Sequence, residues 1–585
     1  MRNQVDAAES SAADASATVN GPEGDPEGWL SIDWQRAEGN VRRLRQRIFT
    51  ATKAGDLKRV RSLQKLLLRS RSNAQLSVRR VTEINEGRAT AGIDGKVVMT
   101  SRAKLEWSRW AQHSSKWKPL PVKRVYIPKM DGRSRPLGIP VIADRIVQAV
   151  VVNALEPEWE ARFEPRSYGF RPGRGCHDAI EALFNSAKGK NPRRKWVLDA
   201  DLAMAFDRID HNHLLRQIGL FPARGRIEQW LAAGVVEKGR FTPTREGTPQ
   251  GGVISPLLMN VALHGMEEAA GVRYRKTGRD AGNAMRNSPV LVRYADDLAV
   301  LCESHGEAER VKSRLSQWLA PRGLTFNEAK TRIVHLDEGF DFLGFTIRRY
   351  GGEKLLIKPS IAAVKRIRKR LSTEMRELRG ANSEAVIGRL NPIIRGWAAY
   401  YRTAVSSKTY STLDDHMWRL AYKWAKHSHP NKSKAWVTSR YFGRFHPSRR
   451  DRWIFGDRAS GRYLTKFSWT KIARHQIVTS GASPDDPGLV EYWARRRRRE
   501  KPLPVGRPIL EPLRSQNGAC PICGTLLLSA DHPPQSPEEW EKWQRMIPYA
   551  IAKQSVAAEG AGRSGGWMIR LVHVSCRQRI GVDTR

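Results

Sequence analysis

The chain has 585 residues, with 102 Lys plus Arg against 59 Asp plus Glu and a formal net charge of +43. That excess argues against nearly every partner except a polyanion, and the length predicts roughly three or four domains rather than one core. A mean hydropathy of −0.54 with no apolar run long enough to span a bilayer argues against a membrane protein, and five cysteines argue against a disulfide framework.

Residues 1–28 are rich in Ala and Ser and carry Asp6, Glu9, Asp14, Glu23, Asp25 and Glu27. Without a basic stretch followed by an apolar one, they read as a disordered acidic leader of a cytoplasmic protein. Residues 29–100 read as a basic helical extension. Val41, Leu44 and Ile48 recur at helical steps, as do Val60, Leu63, Leu66 and Leu67, with Arg and Lys between them. Thr90-Ala91-Gly92-Ile93-Asp94-Gly95 breaks that pattern with turn residues.

Residues 101–350 alternate short apolar strands with helices, an α+β pattern. Val125–Lys129 and Arg135–Pro140 flank the turn Met130-Asp131-Gly132-Arg133, a basic hairpin suited to phosphate contact. Lys195-Trp196-Val197-Leu198-Asp199-Ala200-Asp201 is a strand ending in acids. Alternation puts Asp199 and Asp201 on one face. Asp201 stands at the strand end, where the chain turns and backbone carbonyls become available, and it is chosen over Asp199 and Asp207. Asp207 and Asp210 read as helix-start acids favoured by the dipole. Gly247-Thr248-Pro249-Gln250-Gly251-Gly252 is a tight loop before a helix expected over residues 256–266; its glycines permit close backbone approach to a nucleotide or template base. Tyr294-Ala295-Asp296-Asp297 then sets two carboxylates into an apolar strand–turn–strand. Unpaired buried acids are costly, and a pair of divalent metals, held also by Asp201, would remove that cost.

Residues 351–445 return to a helical period. Ile361, Val364, Ile367, Leu371, Met375 and Leu378 form one face and Lys365, Arg366, Arg368, Lys369 and Arg370 crowd the other. Trp397, Tyr400, Tyr401, Trp418, Tyr422, Trp424 and Trp436 follow, most as packing anchors and some as stacking surfaces for unpaired bases. Residues 446–512 read as a basic DNA-binding region and linker, with Arg495–Arg499 and Pro502, Pro504 and Pro508 in the linker. Residues 513–585 read as a separate small unit. Cys520-Pro521-Ile522-Cys523 and His573-Val574-Ser575-Cys576 have metal-knuckle spacing, so Cys520, Cys523, His573 and Cys576 are expected to hold a structural zinc ion.

The order Asp201, Phe206, Gly247-Thr248-Pro249-Gln250-Gly251, Tyr294-Ala295-Asp296-Asp297 resembles the reverse transcriptases. Arg166-Ser167-Tyr168-Gly169-Phe170-Arg171-Pro172, Gly323–Thr331, Phe342-Leu343-Gly344-Phe345, Leu390–Trp397 and the Trp29–Trp34 segment narrow the resemblance to group II intron-encoded reverse transcriptases and maturases. The resemblance covers nearly all of residues 29–525. It implies a right-hand polymerase fold with fingers and palm over 101–350, a helical thumb or maturase domain over 351–445 and an HNH-like zinc unit over 513–585.

The resemblance also implies roles. Asp201, Asp296 and Asp297 would hold two catalytic Mg²⁺ ions. Phe206 would exclude a 2′-hydroxyl and so select dNTPs. Gln250 and Gly251 would contact template and incoming nucleotide; Lys123, Lys129 and Arg133 would grip the triphosphate, and Lys330 would protonate the leaving pyrophosphate. Implied partners are group II intron RNA, target DNA and dNTPs, with no membrane, in a bacterial cytoplasm associated with the nucleoid. The tail departs from the family's HNH nuclease pattern: Asp531-His532 stands where paired histidines are usual, and Arg577 follows Cys576 where a histidine is common. A zinc-stabilised, cleavage-deficient remnant is therefore expected. The alternatives are a splicing-only maturase with a vestigial polymerase, or a reverse transcriptase with another role such as phage defence.

Overall fold

A computed structural model describes residues 27–128, 134–275, 277, 282–351 and 353–499. Beyond 511 it describes 534–557 and 567–574, with 512, 513, 515, 516, 518, 520–522, 527, 576 and 577. The leader expected over 1–28 lies almost wholly outside the described residues.

The N-terminal helices Trp34–Lys53, Leu57–Leu68 and Arg71–Arg79 start where Asp33, Asp56 and Ser70 accept backbone N–H groups of the first turn, the usual remedy for unpaired N-terminal donors. Val41, Ile48, Val60, Leu63 and Leu67 are buried, as their spacing predicts. Leu66 is not: it is 54% exposed, because a helix one residue further round presents its side chain to solvent. Several arginines expected to form a cationic face are spent internally. Arg61 pairs with the buried Glu158 at 2.6 Å, and Arg45 bridges Glu156 and Asp485, each at 2.7 Å.

Two sheets follow. The first is built from β1 (Val122–Pro128), β2 (Ser134–Ile139), β4 (Val235–Glu237) and β5 (Arg240–Thr242), in the order β2-β1-β4-β5. The second is built from β3 (Trp196–Asp201), β6 (Val290–Tyr294), β7 (Asp297–Cys302) and β8 (Arg332–His335), in the order β6-β7-β3-β8. Each face of this palm sheet closes its own core. Leu198, Leu291, Leu298 and Val300 pack with the N-terminal helices and the helix Ser255–Ala262. Val197, Val290, Val292, Ala299 and Leu301 pack with the helix Cys176–Ala187 and the thumb. Alternation along each strand divides the side chains between the two cores. The helix expected over 256–266 ends at Ala262, and Gly265 at φ +95 separates it from a second short helix, Met266–Ala269.

The thumb is the bundle Ile361–Glu377, Ser383–Tyr401, Ser407–Ser428 and Lys434–Tyr441. Ile367, Leu371 and Met375 are buried as expected, but Ile361 is 72% exposed because it opens the helix beyond the packed stripe. Trp397, Tyr400, Tyr401 and Trp424 are core anchors. Trp418 stacks on Tyr422 with ring centroids 5.6 Å apart and stays partly exposed.

Two expectations are corrected. Arg495–Arg499 is the end of a helix, Val490–Arg499, not an extended linker. Trp493 is buried, and Arg496 donates to the Gln476 carbonyl at 2.6 Å and faces the buried Asp178 at 3.4 Å. The C-terminal unit is not separate. It has its own core around Leu513, Cys520, Leu527, Ile547, Leu571 and Cys576, yet its helix Pro537–Ala550 lies along the thumb helix Ser383–Tyr401. Their backbones approach so closely that a Cβ on Gly396 would stand 2.7 Å from the Glu541 nitrogen. Proline and charge content signal a boundary; a glycine face on the thumb and the Arg370–Glu541 ion pair at 2.7 Å join the two.

Candidate active site

In the palm sheet Asp201 lies directly opposite Asp297, and Asp297 directly opposite Tyr294. Cross-strand partners in an antiparallel pair point to the same face, so Tyr294, Asp297 and Asp201 share one. Ala295 and Asp296 form the two-residue turn of the hairpin, with Ala295 in the left-handed region at φ +57. Asp199, two residues back on the same face, pairs with Arg332 at 3.0 Å. That pairing leaves Asp201 as the acid at the strand end, where the Asn327 N–H holds its carbonyl at 2.8 Å.

The hairpin is braced from behind. Arg293 is buried; it donates to the Ala295 carbonyl at 3.2 Å, to Asn260 Oδ1 at 3.0 Å and to Ser167 Oγ at 2.7 Å. The Arg166–Pro172 loop runs along it: the Tyr168 N–H donates to the Arg293 carbonyl at 2.9 Å. A side chain on Gly169 would overlap the Ala295 backbone nitrogen, so only glycine fits under the turn. Arg171 locks the far side of this loop in a buried bidentate pair with Glu160 at 2.9 and 3.0 Å.

The acids are electrostatically frustrated. Burial, then repulsion from Asp296 and Asp201, pushes the Asp297 carboxyl up to about 7. Burial also raises Asp296, with Asp201 adding to it. Lys330 reaches in from the loop before β8 and sets its Nζ 2.5 Å from Asp201 Oδ2. The carboxylates suit a divalent cation by donor type, all oxygen, and by their surplus of like charge, but their ligand atoms do not all lie within 4.8 Å of one another.

Three segments meet beside the acids. Phe206, in the short helix Ala205–Arg208, is partly buried, and its carbonyl accepts the Thr248 N–H at 2.6 Å. Gly247, at φ +83, sits so close that a Cβ would stand 2.5 Å from the Asp207 carbonyl oxygen. The Gly138 N–H of β2 donates to the Gln250 carbonyl at 2.5 Å, and Gly251 at φ +110 packs on the same strand. The glycine-rich loop therefore ties the first sheet to the palm. Lys123 is exposed on β1 opposite Ile139. Its neighbour Arg124 faces the palm, 4.0 Å from Asp207, and Arg135 lies near enough to both Asp207 and Asp296 to favour their charged forms. Lys129 and Arg133 lie outside the described residues. Sequence reasoning does not single out Arg124 and Arg135; strand alternation allows either face, and only the sheet's placement chooses.

Residues 127–347 match the model of the reverse transcriptase (RNA-dependent DNA polymerase) family, residues 29–110 that of the N-terminal domain of reverse transcriptase, and residues 364–442 that of the group II intron maturase-specific domain. The chain belongs to the group II intron-encoded reverse transcriptase and maturase family. Among its relatives, Protein YkfC of Escherichia coli (strain K12) is 35% identical over 300 residues, covering 46% of this chain and 79% of YkfC. Group II intron-encoded protein LtrA of Lactococcus lactis subsp. cremoris is 29% identical over 321 residues, 45% of this chain and 53% of LtrA. Maturase-like protein 1 of Euglena gracilis is 24% identical over 376 residues, 63% of this chain and 76% of that protein. The match to LtrA thus spans about half of that protein's length.

This reverse transcriptase has the α+β polymerase architecture expected of the family, and its polymerase domain is of the RNA-directed DNA polymerase type, which uses a divalent metal. Among the described residues no helix is long and apolar enough to cross a membrane. At the C-terminus Cys520, His573 and Cys576 converge: one ligand atom from each lies within 4.8 Å of the others. Cys523, expected as the fourth ligand, and His532 lie outside the described residues. Two thiols and an imidazole are a donor set that suits zinc.

Proposed function

We propose that the chain copies RNA into DNA for a mobile group II intron and binds that intron's RNA to assist its splicing and retrohoming. The observation that carries the reading is the cross-strand pair Asp201–Asp297 with Asp296 in the adjoining turn, three carboxylates at one corner of a palm sheet. Two Mg²⁺ ions held by these acids would lower the pKa of a primer 3′-hydroxyl and neutralise the triphosphate and leaving pyrophosphate. Everything else falls to the protein. Phe206 walls the sugar side of the nucleotide pocket, while Gln250 and Gly251 carry the template and incoming base on the loop tied to Gly138. Lys123, Lys129 and Arg133, together with Arg124 and Arg135, draw in the triphosphate, and Lys330 carries a proton beside Asp201. Template-directed extension of a primer on RNA tests the assignment: Asp296→Ala should abolish synthesis while RNA binding survives, and retained synthesis would overturn it.

The charge of +43 supports binding of intron RNA and target DNA. The N-terminal helices and thumb supply the cationic faces, and specificity would come from RNA shape and splayed bases. A zinc ion on Cys520, Cys523, His573 and Cys576 would stabilise the C-terminal unit as a cleavage-deficient HNH-like remnant. Mg²⁺-dependent nicking of target DNA that His532→Ala abolishes would refute the remnant.

A further inference from the structure

The second aromatic residue at the nucleotide pocket has no assigned role. Phe170 is 43% exposed and sits at φ +62, a conformation that costs an L-residue roughly 1–2 kcal/mol. It neither buries its ring nor relaxes its backbone, and both neighbours hold it there. Gly169 is pressed under the Ala295 turn, and Arg171 is fixed to Glu160 and to the carbonyls of Glu164 and Ser167 at 2.7 and 2.9 Å. An exposed, strained aromatic that its surroundings over-determine is a mark of function rather than packing. Its ring meets Phe206 edge to face, with centroids 6.1 Å apart and planes at 70°.

We propose that Phe170 sets the position of the Phe206 ring, so that the two aromatics together form the wall that discriminates the sugar of the incoming nucleotide. The inference rests on the reading of Phe206 as the residue that meets the sugar. Phe206 comes from a helix only four residues long, Ala205–Arg208, whose preceding residue Met204 is itself exposed and left-handed at φ +46. The rest of the Phe206 side chain packs against the palm core, so the Phe170 ring is the aromatic contact on its outer side. Phe170 is carried on the same loop that braces the Asp296 turn, which couples sugar selection to the placement of the catalytic acids.

The test is the ratio of dNTP to rNTP incorporation by the full chain on an RNA template, with melting temperature measured alongside. Phe206→Ala should lower the ratio by roughly tenfold or more, and Phe170→Ala should lower it several-fold. The Phe170 ring is largely outside the core, so Phe170→Ala should leave the melting temperature within a few degrees, and Phe170→Trp should restore discrimination. A lowered ratio with Phe206→Ala and an unchanged one with Phe170→Ala overturns the inference. An unchanged ratio with Phe206→Ala overturns the reading beneath it.

A separate set of contacts carries a second inference. The Gln535 side chain, just before the helix Pro537–Ala550, accepts the Cys176 N–H at 2.6 Å and stands 3.3 Å from the Tyr294 hydroxyl. Tyr294 shares its sheet face with Asp297 and Asp201, so this segment lies on the catalytic face of the palm. The helix opens with Glu538, Glu539 and Glu541, and Glu541 is buried between Arg370 and Arg545, each at 2.7 Å. Glu541 thus ties this helix to Arg370 of the thumb helix Ile361–Glu377, and Gln535 ties the residues before it to the palm face that carries the acids.

We infer that residues 534–547 act as an intramolecular stand-in for nucleic acid, and that template–primer must displace them from Tyr294 and Arg370. Affinity of the full chain for an RNA–DNA template–primer tests this, with Gln535→Ala and Glu541→Gln as separate variants. Both should tighten binding several-fold relative to the parent. Unchanged or weaker binding by Gln535→Ala, which removes no buried charge, overturns the inference whatever Glu541→Gln does to folding.

Discussion

Lys330 Nζ lies 2.5 Å from Asp201 Oδ2, so an ammonium occupies one of the oxygens that a divalent cation would need. The contact raises the Lys330 pKa, chiefly through its hydrogen bond to Asp201. Lys330 therefore competes with metal for Asp201. Lys330→Ala should lower the Mg²⁺ concentration that half-saturates primer extension by a few-fold, while reducing the maximal rate if its proton serves the leaving pyrophosphate. A Mg²⁺ titration at fixed dNTP checks both, and an unmoved midpoint contradicts the competition.

The raised Asp297 pKa sets a pH dependence of stability. An acid whose folded-state pKa, about 7, exceeds its unfolded value binds more protons when folded. Stability from this group is then full below about pH 4 and falls as pH rises toward 7. Mg²⁺ held by the ionised form would reverse the loss. Thermal melts should show a larger Mg²⁺-induced gain at pH 8 than at pH 5; equal gains would argue that the acids do not hold the ion.

Gly169 should be intolerant of any side chain. A Cβ there overlaps the Ala295 backbone and must displace the turn that carries Asp296. Displacement of catalytic groups by about 1 Å typically costs on the order of 10²-fold in rate. Gly169→Ala is expected to lose about that much primer extension and to retain RNA binding, which gel-shift and extension assays on one preparation can separate.

Arg293 is buried and held by Asn260, Ser167 and the Ala295 carbonyl. Asn260→Ala removes one acceptor from a buried guanidinium and also frees the Gly169 carbonyl, which Asn260 Nδ2 bonds at 2.9 Å. A cost of about 1–3 kcal/mol in denaturant unfolding is expected, with primer extension falling further than the stability loss explains. Full activity in a destabilised Asn260→Ala protein would mean that the brace is structural alone.

Cys520, His573 and Cys576 converge across a small core. Cys576→Ser should lower bound zinc measured by elemental analysis from about one equivalent toward none. The C-terminal core should loosen in hydrogen exchange, while the palm strands keep their protection. Unchanged zinc content would remove these residues from the ligand set.

The acids and the loop of the proposed polymerase site can be picked out from the amino-acid order. Asp201, Asp296 and Asp297 betray themselves because acids at the ends of apolar strands have no structural use, and the Gly247–Gly252 loop because so many glycines demand close approach. The basic contacts are not legible. Lys123 and Arg124 are adjacent on one strand, and nothing local says which faces the palm; only the folded chain puts Arg124 4.0 Å from Asp207. Leu66 and Ile361 look like core by spacing, but each lies at the margin of its stripe, where the neighbouring element sets the boundary. The tail looks detached because proline and charge runs mark boundaries in sequence, whereas docking depends on a partner face that includes Gly396, far away in the chain.

Sequence by itself determined the candidates for the chemistry: acids at strand ends that could carry metal, a glycine-rich loop that could approach a nucleotide, and a net charge of +43 that favours a polyanion. Those properties follow from residue type and short-range periodicity. Tertiary structure alone decided that Arg293 and Gly169 brace the Ala295–Asp296 turn, that Lys330 reaches Asp201, that Phe170 meets Phe206 and that Gln535 reaches Tyr294. These contacts join residues far apart in the chain, and their energies depend on burial and distance, which exist only once the sheet has brought the strands together.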